Sequence, residues 1–412
     1  MLAPLAEKPH LLATPTSRPA LQTSLRQRTP GLWRVMFLLT RLTTGGGAEV
    51  QAIQLALRLK ARGWSVLVVS MQASYEVTRI LEQHGVPTIT LGARNKFEAC
   101  LFLPRLARII RQQRPHIMHS HMSYAILLAR AVRLLRSMPV SIATLHGLKM
   151  YNVGGTGWRI REFVAGLTDR LSDVTSTVCS AAARHYLASR AISRRRLRLI
   201  PNGIDTNIFR ADPAMRGRVR TRLGIGDEFT WLLVGRFQPV KDHCTMLRAF
   251  ARVCAVDSSS LLLLVGSGPL QTEMMELTQA LGIAQRVRFL GRQTDVPALM
   301  NGADACVLSS RYEALPMVLL EAAASGLPAV ATDVGGTSDV VLEGVTGFLA
   351  PAGEPQALAH AMLRLASLPE ADRRAMGTRA RDHVIENFQF DPIIDRWEDL
   401  YFELLERKGV CP

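Results

Sequence analysis

Short apolar runs alternate with amphipathic segments along most of the chain. The runs are three to seven residues long and rich in Val, Ile and Leu, which is typical of buried strands. The segments between them have the apolar spacing of helices, and the alternation begins again near residue 231. The pattern predicts strands at 33–39, 64–69, 86–91, 117–119, 140–145, 174–178 and 198–200 in the first half, and at 231–234, 261–265, 287–290, 305–308 and 329–331 in the second.

Strands that alternate with helices predict an α/β fold with parallel sheets and crossover helices. Two separate series of strands predict two doubly wound, Rossmann-like domains, and 412 residues with 48% hydrophobic composition suffice for two cores. We expect an N-terminal domain at 31–205 and a C-terminal domain at 206–387. A terminal helix is predicted over 388–412 from an apolar stripe at Phe390, Ile394, Trp397 and Tyr401. Because ligands of such sheets bind at the carboxyl ends of strands, we expect the site in a cleft between the domains.

Composition restricts the class of protein further. Residues 1–30 are rich in Pro, Thr and Arg and nearly lack acids, so we predict a disordered tail, with a transit peptide as the alternative. No apolar run reaches the roughly 20 residues that a spanning helix requires. The six cysteines are scattered without a CxxC spacing, which indicates free thiols in a reducing compartment and predicts a cytoplasmic protein.

Charge is distributed unevenly. Residues 1–205 hold 29 Lys and Arg against 9 Asp and Glu, a net charge of +20, whereas residues 206–412 have a net charge of −4. Segments 101–114 and 127–136 combine bulky apolar residues with arginines, and those of the first recur every three residues, as in helices that lie among lipid headgroups. One hypothesis is therefore that the first domain docks on an anionic membrane surface. The alternative is two crossover helices with apolar faces on the sheet and solvated arginines outside.

A glycine turn with two cations follows the predicted strand at 231–234. Gly235 permits a sharp turn, while Arg236 and Lys241 offer a planar fork and a point charge before a helix. Strand, glycine turn and cations before a helix suit the diphosphate of a nucleotide. A solvated loop is the alternative interpretation.

Two glutamates bracket the start of a short apolar helix that Pro316 opens and Gly326 closes. Glu313 lies on the loop at the helix mouth, where backbone N–H groups and the helix dipole favour an anion or a sugar oxygen. Glu321 lies within the helix, and its carboxylate is suited to accept two hydrogen bonds from a ribose diol. Two surface glutamates around a buried helix are the alternative.

The order of these motifs resembles the retaining GT-B glycosyltransferases of family 4, the glycogen-synthase-like and sucrose-synthase-like group. The resemblance covers the chain from about Leu32 onward and is most specific from Pro201 to Gly347. Ser267 departs from the family pattern, which often has an acidic residue there, and so does Ala314-Leu315, which replaces a frequent Gly-Phe or Gly-Leu. The matching segments are 201–205 (PNGID), 235–242, 265–269 (VGSGP), 313–321 and 332–336 (TDVGG).

The resemblance implies an enzyme that transfers a hexose with retention from a nucleotide diphosphate sugar, UDP-linked in preference to GDP-linked. It implies a glycan or lipid-linked acceptor, as in cell-envelope polysaccharide or lipopolysaccharide biosynthesis. The catalytic residues implied are Glu313, Arg236, Lys241 and His146, the last as a contact of the donor sugar. The donor-binding residues implied are Gly46, Gly47, Gly235, Arg236, Lys241, Gly266, Glu313, Ala314, Leu315, Pro316 and Glu321.

No metal and no cofactor is predicted, because the sequence has no Asp-x-Asp pair, no Walker A sequence and no GxGxxG. His119 and His121, at a predicted strand end, are interpreted as polar lining or helix capping rather than as metal ligands. Alternative functions are a sugar-nucleotide epimerase on the same fold, a silent scaffold, and a nucleic-acid-binding protein, which the pI of 10.3 would suit. We expect no nucleic-acid partner, since no binding module is recognisable.

Overall fold

The computed structural model describes residues 33–92, 99–147 and 157–411. The predicted tail at 1–30 lies outside the described residues. Within them, the chain forms two compact units, one of residues 33–201 with 391–411 and the other of residues 202–390. The contacts thus divide the chain at 201/202 and at 390/391, a few residues from the limits expected at 205/206 and 387/388. No helix in these ranges is long and apolar enough to cross a membrane.

The N-terminal unit is a parallel sheet with helices in the crossovers. Its strands are β1 Arg34–Leu42, β2 Ser65–Ala73, β3 Thr88–Thr90, β4 Ile117–His121, β5 Val140–Leu145, β6 Val174–Thr177 and β7 Leu197–Leu199. They are arranged in the order β3-β2-β1-β4-β5-β6-β7, so the chain moves outward in both directions from β1. Its helices are α1 Gly47–Ala61, α2 Tyr75–Gln83, α3 Ala99–Gln113, α4 Ser123–Leu135, α5 Gly157–Thr168 and α6 Ser180–Ala188.

The C-terminal unit repeats this architecture with six parallel strands in the order β10-β9-β8-β11-β12-β13. The strands are β8 Thr230–Val234, β9 Leu261–Val265, β10 Val287–Gly291, β11 Ala305–Leu308, β12 Ala329–Thr332 and β13 Gly347–Ala350. The helices are α7 Pro213–Leu223, α8 His243–Val256, α9 Gln271–Ala280, α10 Val296–Gly302, α11 Met317–Ala324, α12 Thr337–Val340, α13 Pro355–Ala366 and α14 Glu370–Phe388. The predicted strands are confirmed, and β13 is a further strand that the pattern did not indicate.

The predicted terminal helix is α15, Phe390–Arg407, and it crosses back to pack on the N-terminal unit. Arg62 donates to the carboxylates of Asp395 (2.6 Å) and Glu398 (2.5 Å), and the Trp64 indole donates to Glu398 (2.9 Å). The apolar stripe of α15 is buried against the sheet, including the ring of Tyr401. Charge pairing at the helix start and aromatic packing along the helix therefore hold α15 in place.

Helices α3 and α4, on which the membrane hypothesis was based, have their apolar faces buried. Phe102, Leu106 and Ile110 of α3 belong to the hydrophobic core. Arg130 of α4 is only 2% exposed and lies 3.7 Å from Asp169, while Arg133 lies 2.8 Å from Asp173. The expectation that the arginines of 127–136 form a solvated basic stripe is wrong for these two, because buried carboxylates bind them. The arrangement matches the alternative of crossover helices packed on the sheet.

Candidate active site

The carboxyl ends of β8 and β9 bring two glycine turns into contact. Gly235 follows β8 and donates its N–H to Val265 at the end of β9 (2.8 Å). A Cβ on Gly266 would lie 2.0 Å from the Gly235 carbonyl oxygen, and one on Gly268 would lie 2.4 Å from that of Phe237. Only glycine allows backbones to approach this closely. The exposed Arg236 side chain is presented by the β8 turn.

The loop after β11 is tied to the β8 turn by polar contacts. Arg311 donates its backbone N–H to the Val240 carbonyl (2.9 Å) and its guanidinium Nε–H to Asp242 (2.7 Å). The Ser309 hydroxyl donates to the Lys241 carbonyl (2.9 Å). Two loops that are distant in sequence thus form one polar edge at the carboxyl ends of the central strands.

Lys241 and Glu313 meet at this edge. The Lys241 ammonium lies 2.5 Å from Oε1 of Glu313, and the Ser310 hydroxyl donates to the same oxygen (2.6 Å). The two charged side chains are 20% and 13% exposed, so the pair is accessible to a ligand but partly shielded from water. The Glu313 carboxylate is therefore held by both a cation and a hydroxyl.

The segment after β12 fixes the backbone at Glu313. Gly335 has φ +60°, and a Cβ there would lie 1.8 Å from the Glu313 carbonyl oxygen. The Gly336 N–H donates to the Ala314 carbonyl (2.7 Å), and the Thr332 hydroxyl donates to that of Ser310 (2.6 Å). The TDVGG sequence therefore positions the Glu313 loop.

Glu321 lies in the second turn of α11 and is buried. The pKa of the Cys306 thiol on β11 is raised to about 12, mainly by burial and secondly by the nearby Glu321 carboxylate. Helix α11 starts after Pro316 and ends before Gly326, which has φ +73°. Of the other predicted donor-binding residues, Leu315 and Pro316 are buried and Ala314 is half-buried.

The remaining predicted residues belong to the N-terminal unit. Gly46 precedes α1, and a Cβ there would lie 2.3 Å from a carboxylate oxygen of Glu49, which is buried and paired with Arg41. Gly47 is exposed at the helix start. A larger residue at Gly46 would therefore displace the Glu49 carboxylate from its present position.

His146 follows β5, and its Nε2 lies 3.0 Å from Nδ1 of His121 at the end of β4. Both His119 and His121 are buried rather than lining a polar surface. Burial, followed by the charges of neighbouring histidines, holds the pKa of each well below the ordinary value of 6.5. His121 is therefore neutral at pH 7, and it orients the ring of His146.

Several residues of the site were not predicted as members: Ser310, Asp242, Arg311, Thr332, Gly335 and Gly336. Asp242 has φ +45°, a backbone conformation that few residues other than Gly, Asn and Asp adopt. It accepts hydrogen bonds from Thr245 at the start of α8 as well as from Arg311. The sequence feature that could have indicated Asp242 is its position directly before a helix, where Asp is a typical N-cap residue.

Two Rossmann-like units of seven and six parallel strands, with a terminal helix returned to the first, define the GT-B class of enzymes. The glycosyl transferases group 1 model matches residues 216–383, and the glycosyltransferase family 4 model matches residues 45–208. The D-inositol 3-phosphate glycosyltransferase of Geodermatophilus obscurus is 30% identical over 371 residues, 82% of this chain and 81% of that protein. The chain belongs to this glycosyltransferase family.

A second relative and a solved structure are also similar to this chain. The N-acetyl-alpha-D-glucosaminyl L-malate synthase of Bacillus anthracis is 26% identical over 370 residues, 87% of this chain and 94% of that protein. The crystal structure of Anabaena HepE in complex with UDP has a TM-score of 0.80 at 21% identity, covering 90% of this chain and 100% of that chain. This structural likeness confirms the predicted fold.

Proposed function

We propose that the chain transfers a hexose, with retention and without a metal ion, from a UDP-sugar to a glycan or lipid-linked acceptor. The observation that supports this most is the joining of Lys241, Glu313 and the Gly235–Arg236 turn at one sheet edge. A diphosphate beside Lys241 and Arg236 would receive charge-assisted hydrogen bonds. The binding of UDP by HepE on the same fold supports UDP over GDP.

Each residue has a separate role in this proposal. Arg236 and Lys241 stabilise the leaving diphosphate as negative charge develops, which is the electrostatic contribution to catalysis. Glu313 holds the hydroxyls of the donor sugar, and the buried Glu321 carboxylate binds the ribose. Retention would follow from front-face attack, in which the departing phosphate oxygen takes the acceptor proton. No side chain then has to act as general base, and positioning of the acceptor hydroxyl supplies the rest.

The proposed function includes a class of acceptor. We propose a cell-envelope polysaccharide or lipopolysaccharide intermediate, made at the cytoplasmic face of an anionic membrane, because the N-terminal half has a net charge of +20. The names of two relatives point to a competing class of acceptor, since one is an N-acetyl-alpha-D-glucosaminyl L-malate synthase and the other a D-inositol 3-phosphate glycosyltransferase. Malate and inositol phosphate are small anionic alcohols, and a basic domain would also attract them.

Transfer assays in EDTA test the proposal. Purified chain is incubated with UDP-glucose, UDP-galactose, UDP-N-acetylglucosamine or GDP-mannose, together with a polyprenyl-diphosphate-linked sugar, L-malate or inositol phosphate. We expect UDP release with one UDP-sugar and, by NMR of the product, the same anomeric configuration as in the donor. An inverted product, a need for a divalent cation, or a UDP-sugar that is epimerised without an acceptor would contradict it.

Two variants connect the assay to the site. Arg236→Ala should weaken UDP binding by about ten-fold to a hundred-fold through the loss of a charge-assisted hydrogen bond. Glu321→Ala should weaken UDP as well, because the ribose is common to donor and product. The matched control is Arg252→Ala, an exposed arginine on α8 that lies about 13 Å along the helix from its start. Equal UDP affinity in all three variants would refute the assignment.

A further inference from the structure

An apolar stripe on helix α5 faces solvent. Ile160, Phe163 and Leu167 are 65%, 67% and 60% exposed, and their spacing of three and four residues places them along one side of the helix. Glu162 and Ala165, on other sides, are buried. Single exposed apolar side chains are ordinary on a protein surface, but three aligned on one helix form a contiguous patch that marks an interaction site.

Helix α5 is fixed in this orientation by its buried side. The Arg130 guanidinium donates to the Ala165 carbonyl and to the Thr168 hydroxyl, both at 3.0 Å. Glu162 lies 2.7 Å from the His185 ring on α6. Because these contacts hold the opposite side, the stripe cannot turn inward without breaking them.

A second exposed apolar pair lies near the end of α5. Leu134 and Leu135, at the end of α4, are 72% and 59% exposed. Their neighbour Arg133 donates to the carbonyl of Leu171 (3.0 Å), just after α5. The C-terminal ends of α4 and α5 are therefore adjacent, and we call the α5 stripe together with Leu134 and Leu135 the apolar ridge.

The segments that carry the apolar ridge are rich in arginine, and their own acids are buried or half-buried. Residues 157–200 contain nine arginines and three acids, and those acids are engaged with basic side chains: Glu162 with His185, Asp169 with Arg130, and Asp173 with Arg133. Residues 99–147, which include α3 and α4, contain seven arginines and no acid. Among the side chains that the structure describes, Arg136, Arg170 and Arg190 are exposed arginines close to the ridge in sequence or by backbone contact with α5.

We infer that the apolar ridge inserts into the headgroup layer of an anionic bilayer, with these arginines on the lipid phosphates. The inference rests on the proposed function and names the element that makes the contact. An exposed apolar line bordered by arginines is the composition expected of a helix that lies in a membrane interface. A second copy of the chain fits poorly, since face-to-face packing would oppose the arginines of these segments to one another, and the acids of the same segments are buried or half-buried and already paired.

Vesicle co-sedimentation of the full chain tests the inference. We expect binding to phosphatidylglycerol–phosphatidylcholine vesicles at low salt, little binding to phosphatidylcholine alone, and a steep fall as salt rises. The triple variant Ile160→Ser, Phe163→Ser, Leu167→Ser should bind at least about ten-fold less well, since each buried apolar side chain adds to partitioning. The matched control is Tyr75→Ser, which removes a side chain that is 83% exposed elsewhere in the same unit.

The outcomes separate the inference from the proposed function. UDP affinity and thermal midpoint of the triple variant should equal those of the wild type, which shows that the fold is intact. Vesicle binding without transferase activity would support the inference and contradict the proposed function. Transfer to a soluble acceptor without vesicle binding would overturn the inference alone. Equal vesicle binding by the triple variant and the wild type, or a dimer of the wild type that the triple variant loses, would also overturn it.

Discussion

The contact between Lys241 and Glu313 predicts that the Glu313 carboxylate competes with the diphosphate of UDP for the Lys241 ammonium. The Lys241 ammonium lies 2.5 Å from Oε1 of Glu313. A diphosphate must draw this cation from the carboxylate or share it, and the negative carboxylate also repels the phosphates. The substitution Glu313→Gln removes the charge and keeps the shape. We therefore expect it to tighten UDP binding while it abolishes transfer.

The magnitude follows from the exposure of the pair. Both side chains are less than a quarter exposed, so their attraction is stronger than that of a surface ion pair, worth about 0–1 kcal/mol, yet still screened by water. Release from this competition should gain about 1 kcal/mol, which is roughly a five-fold tighter UDP complex. Lys241→Ala loses a charge-assisted hydrogen bond of about 1.5–3 kcal/mol and leaves Glu313 facing the diphosphate. It should therefore weaken UDP by at least about ten-fold.

Calorimetric titration of UDP in EDTA measures these changes as a double-mutant cycle. The double variant Lys241→Ala, Glu313→Gln should bind UDP better than Lys241→Ala alone, since the uncompensated carboxylate is gone. Ser310→Ala is the control, because it removes the other hydrogen bond to Glu313 without changing any charge. Weakening of UDP by Glu313→Gln to the level of Lys241→Ala would refute the competition.

Two further predictions concern stability. Asp242→Ala should lower the free energy of unfolding by about 2 kcal/mol in a denaturant titration, since it removes the α8 cap and places alanine at positive φ. Asp242→Gly avoids the backbone strain and should therefore cost about 1 kcal/mol less. Equal losses in the two variants would contradict the argument. Burial, and after it the Lys241 charge, lower the pKa of His243 to about 4. The neutral His243 ring therefore contributes fully to the free energy of unfolding above pH 6.5, and this contribution is lost as the pH falls towards 4. The shift corresponds to about 3 kcal/mol. The unfolding free energy of His243→Phe should depend less on pH over this range, and an unchanged dependence would contradict the assignment.

The sequence was sufficient to predict the two series of strands and the sheet edge at which the candidate site lies. Because all strands of the C-terminal unit are parallel, residues that follow strands in the sequence meet at one edge of the sheet. That rule brings Gly235, Gly266 and Glu313 together without knowledge of any contact. The roles of the predicted residues in donor binding and catalysis remain predictions. Strand β13 was not predicted, because its four residues include a glycine and a small alanine and show no alternation of apolar and polar positions.

Partners distant in sequence could not be predicted. Arg130 appeared to belong to a solvated stripe, because periodicity reports which side of a helix a residue occupies and not what meets it there. The acceptors that bury Arg130 lie 35 to 45 residues further on, at Ala165, Ser172 and Thr175. The Asp242–Arg311 pair, 69 residues apart, escaped for the same reason. Such contacts require the register of the folded sheet.

The burial of His119 shows how the terminal helix is connected to the strand that ends beside His146. Nε2 of His119 lies 2.6 Å from the Thr144 hydroxyl, which in turn lies 2.7 Å from the Ser176 hydroxyl. Nδ1 of His119 lies 2.6 Å from the Tyr401 hydroxyl. Burial holds the pKa of His119 well below its ordinary value, so the ring is neutral at pH 7. Because a neutral imidazole has one donor and one acceptor nitrogen, His119 can hydrogen-bond Tyr401 of α15 and Thr144 near the end of β5 at the same time, and it adds a buried polar link to the packing that holds α15 in place.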